Sequence, residues 1–124
     1  MNKLALIIED DEDLANIFAE ALRSIGLSIE NLADGKVALE RIQGEGDIPF
    51  VILLDMHLPH VSGRDLLQII KTDPRFANTW IMITTADARL ADDFRDQVDF
   101  ALIKPILFGQ LRDLVNRLKP KDQI

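Results

Sequence analysis

The stretch from Val51 to Gly63 constrains the fold more than any other part of the chain. Val51-Ile52-Leu53-Leu54 is an uninterrupted apolar run that stops at one carboxylate, Asp55, and breaks into a loop punctuated by Pro59 and closed by Gly63. A run that is apolar at both parities leaves no face for water. It reads as a strand buried on both sides, the kind found in parallel sheets. In open parallel sheets, ligands and chemistry sit beyond the carboxyl ends of the strands. Asp55 stands in that place.

The rest of the chain supplies partners for such a strand. Leu4-Ala5-Leu6-Ile7-Ile8 is a second buried run, and it too ends in acids, Glu9-Asp10-Asp11. Leu14, Ile17, Phe18, Ala21, Leu22 and Ile25 then recur at helical spacing, with acids at the start and Gly26 placed to close the helix as its C′ residue. Leu27 to Leu32 reads as a strand, and Asp34-Gly35 opens a helix through about Gln43. Gly44 to Pro49 reads as loop. Ser62 can cap a helix carrying Leu66, Leu67, Ile69 and Ile70, which ends near Asp73-Pro74. Trp80 to Thr84 is a fourth strand, Ala88 to Gln97 a short helix with a thin apolar face, and Phe100 to Ile103 a fifth strand leading into Lys104-Pro105. The last helix carries Leu107, Phe108, Leu111, Leu114, Val115 and Leu118 and stops at Pro120. Strands alternating with helices imply right-handed crossovers and helices on both faces of the sheet. The expected fold is α/β, a flavodoxin-like doubly wound (βα)5 sandwich with strand order 2-1-3-4-5 and its switch point between the first and third strands.

At 124 residues the chain fits one domain; we place it at 1–120, with 121–124 a C-terminal tail or the start of a linker. There are no cysteines, so disulfides and thiolate metal sites are unavailable. A net charge of −7 without a Lys/Arg stripe argues against direct nucleic-acid binding. Leu4 to Ile8 is too short to span a bilayer, so we expect no membrane insertion and a cytoplasmic protein.

In the expected strand order Glu9 and Asp10 end beside Asp55. At roughly 5 Å and an effective dielectric of about 20, each ionised pair repels by about 3 kcal/mol. Raised pKa values or a bound cation relieve that repulsion. A hard divalent ion that keeps several waters and takes one or two carboxylates, Mg2+, suits the set. Glu9 to Asp13 taken alone equally reads as a solvated acidic turn with helix N-terminal charges. The fourth and fifth strands deliver Thr84-Thr85 and Lys104 to the same edge, a hydroxyl and an ammonium that can meet an anion.

Together these strand ends resemble the receiver domain of two-component response regulators. The resemblance covers essentially the whole chain. Its most specific part is Asp55-Met56-His57-Leu58-Pro59-His60-Val61-Ser62-Gly63, which is similar to the pattern D-x-x-[ML]-P-x-x-[DS]-G. It implies that Asp55 accepts a phosphoryl group from a phosphohistidine on a sensor histidine kinase or histidine phosphotransfer protein. It further implies that Asp10 ligates Mg2+ directly, Glu9 acts through metal-bound water, and Asp55 and the His57 backbone carbonyl supply further oxygens. Thr85, which precedes Ala86, corresponds to the family threonine, and Lys104 to its lysine. Asp11 is read as structural. The Lys104-Pro105 peptide resembles one that is typically cis in the family. His57 and Asp87 fall where side chains flank the phosphoryl site, and we expect them to tune the lifetime of the phosphorylated state. An H-x-x-H pair, His57 and His60, lacks the further ligands of a metal site.

The pattern also has departures. Three residues before the lysine the family usually has an aromatic that rotates on activation; here it is Ala101, and Phe100 should point to the opposite face. The segment from Ala86 to Ile103 is a few residues short, and Ile106 replaces the frequent Phe after Pro105. The expected protein is therefore a phosphorelay switch, not a true enzyme, whose output to an unidentified downstream effector avoids the aromatic rotation. The alternative is a receiver-like interaction module that works without phosphorylation. A haloacid-dehalogenase-like phosphatase would carry a second Asp where His57 stands.

Overall fold

The structure is a computed structural model and describes residues 3–123. Five strands, β1 (Leu4–Ile8), β2 (Ser28–Leu32), β3 (Val51–Asp55), β4 (Trp80–Thr85) and β5 (Phe100–Ile103), form one parallel sheet of order β2-β1-β3-β4-β5. Between and after them run α1 (Glu12–Arg23), α2 (Gly35–Gln43), α3 (Gly63–Thr72), α4 (Ala88–Phe94) and α5 (Phe108–Asn116). The doubly wound fold is the one expected from the alternating runs.

Two cores follow from the strand period of two. Ala5, Ile7, Leu53 and Met82 face α1 and α5 and pack with Phe18, Leu22, Leu111 and Val115. Leu6, Ile8, Ile52, Leu54 and Ile83 face the other way, onto Leu66, Leu67, Ile70 and Phe76. Each fully buried Leu or Ile removes enough apolar surface from water to stabilise the fold by about 1.5–3 kcal/mol. All five residues of β3 are buried.

The starts of α1 to α4 are set by side chains at their N-caps, which satisfy backbone N–H groups that have no partner within the helix. Asp11 Oδ1 accepts hydrogen bonds from the N–H groups of Asp13 (3.0 Å) and Leu14 (3.1 Å), the structural role expected of it. Asp34 caps α2 and Ser62 caps α3 in the same way. Gly63 at the start of α3 is dictated by close approach: a Cβ there would lie 2.5 Å from Met56 Cα and 2.6 Å from the Asp55 carbonyl oxygen. The absence of a side chain lets α3 press against the end of β3.

Several expectations at the edges need correction. α1 ends at Arg23 with Ser24 as C-cap, so Ile25 lies beyond the helix, and Gly26 (φ 94°) turns the chain two residues past the cap, not one. Ile17 sits at the margin of the α1 stripe and is exposed, as are Leu107 and Phe108 at the start of α5. The helix expected through Gln97 stops at Phe94 and tightens into a 3-10 turn over Arg95–Gln97, because Ala91 is its one buried residue and nothing apolar holds a further α-turn down.

At the sheet edge away from Asp55, Trp80 Nε1 donates to the Lys119 carbonyl (2.8 Å). Lys121 Nζ pairs with Asp99 (2.9 Å) and donates to the Thr79 carbonyl (3.2 Å). The chain after α5 is thus folded back onto β4.

Candidate functional site

Parallel register brings the named residues to one edge. β1 and β3 are neighbours, so the residues just after Ile8 lie beside Asp55. Asp55 itself pairs with Thr84 across β3 and β4, and Thr85 pairs with Ile103, one residue before Lys104. Backbone bonds extend the ladder past the strands: Met56 N–H to the Thr84 carbonyl (3.0 Å) and Lys104 N–H to the Thr85 carbonyl (2.8 Å). Lys104 precedes a cis peptide to Pro105.

One cation meets two buried carboxylates. Lys104 Nζ lies 2.9 Å from Glu9 Oε1 and 3.5 Å from Asp55 Oδ1, and both carboxyl side chains are only 2% exposed. The other oxygen of Glu9 accepts from the Asp11 N–H (3.1 Å), and Asp55 Oδ1 accepts from the His57 N–H (3.1 Å). Burial raises the Glu9 carboxyl to about 7, against the opposing pull of Lys104 and the Asp11 amide. Burial raises Asp55 as well, with the His57 amide and Lys104 working against it. Burial disfavours the ammonium of Lys104 too, but Glu9 and Asp55 outweigh it and its pKa is raised.

The residues fit a divalent cation. Carboxylate oxygens of Glu9, Asp10 and Asp55 can all lie within 4.8 Å of one another. Glu9 Oε1 is buried and receives no aligned hydrogen bond, with the Lys104 ammonium as its charge partner. All three donors are hard oxygens, the type that Mg2+ takes in small number alongside retained waters.

Of the two threonines, Thr85 stands at the site. Its Oγ1 accepts from the Asp87 N–H (3.0 Å) and lies 3.1 Å from His57 Nε2. Thr84 is also buried, one position earlier on the strand and so on the opposite face. The two histidines separate. His57 reaches Thr85, whereas His60 (φ 73°) carries an exposed ring 4.0 Å from Asp34, away from the carboxylate cluster. The link from His57 to Thr85 spans 28 positions and escapes any reading by local spacing.

The neighbouring half of the sheet is built differently. Ala101 packs toward α4 with Leu90, Phe94 and Val98. Phe100 points to the other core, its ring 6.1 Å from Trp80, as strand alternation requires. Phe94 is half-buried beneath the Arg64 guanidinium, 5.1 Å from its ring. Ile103, Leu107 and Phe108 are exposed nearby.

Comparisons with known proteins bear on the family and the fold. The chain is 31% identical over 125 residues to the "Probable methanogenesis regulatory protein FilR2" of Methanothrix harundinacea, covering 94% of this chain and 81% of that protein. It is 26% identical to the chemotaxis protein CheY-3 of Vibrio cholerae, covering 94% and 92%. Against the sensory transduction protein RegX3 of Mycolicibacterium smegmatis it is 34% identical over 85 residues, which make up only 36% of that longer protein. Among solved structures, the chemotaxis response regulator CheY4 of Vibrio cholerae superposes with a TM-score of 0.82 at 20% identity, covering 94% of this chain and 98% of that one. No helix among the described residues is long and apolar enough to cross a membrane. The family model of the response regulator receiver domain matches residues 5–116, and with the parallel sheet and the acid-lined edge already in place, the chain belongs to that family.

Proposed function

We propose that this receiver domain is a phosphoacceptor switch in a two-component or phosphorelay system, with Asp55 as the acceptor. The observation that carries the reading is the nearly complete burial of the Asp55 carboxylate beside Glu9, with one ammonium, that of Lys104, reaching both. Such a carboxylate is oriented, short of solvent and faced by a cation, which suits in-line attack on phosphorus.

Phosphoryl transfer needs positioning and charge stabilisation more than covalent help from the protein. An ionised Asp55 oxygen attacks the phosphorus of a phosphohistidine on a sensor histidine kinase or histidine phosphotransfer protein. The phosphorus–nitrogen bond breaks and its electron pair returns to the imidazole. Lys104 pairs with the phosphoryl oxygens, and Thr85 donates its hydroxyl proton to one of them. Asp10, Asp55 and the His57 carbonyl would hold Mg2+ directly, with Glu9 acting through its waters. When bound, the ion neutralises charge on the carboxylates and on the transferring group. Burial raises both the Asp55 and Glu9 carboxyls, and a bound cation favours their ionised forms. The modified Asp55 then draws on Thr85 and Lys104, and so on the ends of β4 and β5, to present a changed surface to a downstream effector in the cytoplasm. With Ala101 on β5, that change proceeds without an aromatic rotating there.

The test is incubation with Mg2+ and acetyl phosphate followed by intact mass measurement. A single phosphate adduct is expected, absent from Asp55→Asn and from samples with excess chelator. An unmodified wild-type protein under these conditions would instead support an interaction module that works without phosphorylation.

A further inference from the structure

The proposed mechanism uses Thr85 as a hydrogen-bond donor to the phosphoryl group, yet in the resting structure its Oγ1 already lies within hydrogen-bond distance of His57 Nε2. The Thr85 side chain is 0% exposed. A hydroxyl has one proton and two acceptor positions. The Asp87 N–H occupies an acceptor position at 3.0 Å. A buried hydroxyl proton needs an acceptor of its own, and among the described residues the acceptor within reach is His57 Nε2, at 3.1 Å. That assigns His57 as the neutral imidazole with its proton on Nδ1, an assignment made from the bonding network.

The placement of His57 is fixed by the same loop that carries the acceptor. Its backbone N–H holds Asp55 Oδ1 while its ring crosses to the end of β4 and holds Thr85. Gly63 keeps this loop pressed between β3 and α3, so the ring is delivered by backbone that has little room to move.

We propose that His57 is a resting-state latch on Thr85. Thr85 cannot donate to a phosphoryl oxygen on Asp55 until it lets go of His57 Nε2, so the two acceptors compete for one proton. His57 is a positioning residue in this scheme: it acts through Thr85 and holds down the share of molecules ready to engage the phosphoryl group. The inference rests on the phosphoacceptor reading of the site. It differs from a role in admitting water, because it acts before any phosphoryl group is present.

Competition of this kind lowers the apparent affinity for the engaging ligand by the fraction of competent molecules. The experiment is calorimetric titration of the full chain with beryllofluoride in the presence of Mg2+, as a stable stand-in for the phosphoryl group. His57→Ala is expected to bind about three- to tenfold more tightly than wild type, the range set by one ordinary hydrogen bond. His57→Gln, whose amide oxygen can accept from Thr85, should return toward wild type. In a Thr85→Val background His57→Ala should change nothing, since the proton in dispute is gone. Equal affinity for His57→Ala and wild type overturns the latch, and so does the same gain in the Thr85→Val background. Wild type that takes no beryllofluoride at all removes the phosphoacceptor reading, and the latch with it.

Discussion

The edge formed by β1, β3 and the end of β4 differs from the adjoining α4–β5 half in how many independent constraints hold each side chain. Asp55 is fixed by a buried strand, a backbone hydrogen bond from its own loop, a glycine-mediated helix contact and an ion pair. α4 has Ala91 as its one buried residue, a 3-10 continuation without a side-chain cap, and an exposed ion pair between Arg95 and Asp92. Chemistry needs geometry that does not drift, and that is where the restraints are concentrated. Regions that change arrangement are drawn from the less stable end of a structure, and α4 meets that description.

Breaking the better-held side should cost most. Gly63→Ala forces a methyl into the Met56 backbone and the Asp55 carbonyl, and denaturant unfolding should show a loss of about 3 kcal/mol. Next comes the pH dependence of the metal-free protein. Glu9 rises from an ordinary value of 4.5 to about 7 in the folded state, so the folded form binds more protons between those values. This contribution to stability is complete below about pH 4.5 and lost as the pH rises through about 7. The loss is at most about 3 kcal/mol, read as the difference in slope between wild type and Glu9→Gln. Saturating Mg2+ should cancel that slope at neutral pH, because a bound ion favours the ionised carboxylate.

On the looser side the effects shrink. Phe94→Ala removes a half-buried ring and its stacking with Arg64, and should cost about 1–2 kcal/mol, well short of a fully buried aromatic. Arg95→Ala breaks an exposed pair and should stay within about 0.5 kcal/mol of wild type by thermal or chemical unfolding. A loss at Phe94 as large as that at Gly63 would remove the contrast between the two halves.

The sequence made the sheet legible because four of the five strands, all but the polar β2, are short apolar runs ended by a charge or a loop, and parallel sheets leave such runs few alternatives. Thr85 could be separated from Thr84 because the Ala86 that follows it matches the Thr-Ala of the receiver-domain pattern. The parts that stayed hidden are those decided by tertiary packing. Periodicity assigned Ile17, Leu107 and Phe108 to the core face, but the stripe is wider than the surface available to cover it. The helix expected from Ala88 to Gln97 shortened for want of apolar contacts. The His57 ring reached Thr85 through a loop conformation that no local pattern encodes.

The docking of Trp80 on the folded-back tail has a practical consequence. Trp80 is the chain's one tryptophan and the first residue of the strand that ends in Thr85. Its indole sits against the Lys119 carbonyl and the Lys121 ammonium, both of which influence emission from the ring. A β-strand of this length spans about 17–20 Å and is stiff along its axis. The protein therefore carries its own optical probe at the far end of β4, and a displacement of Thr85 can be followed in unlabelled protein by intrinsic fluorescence.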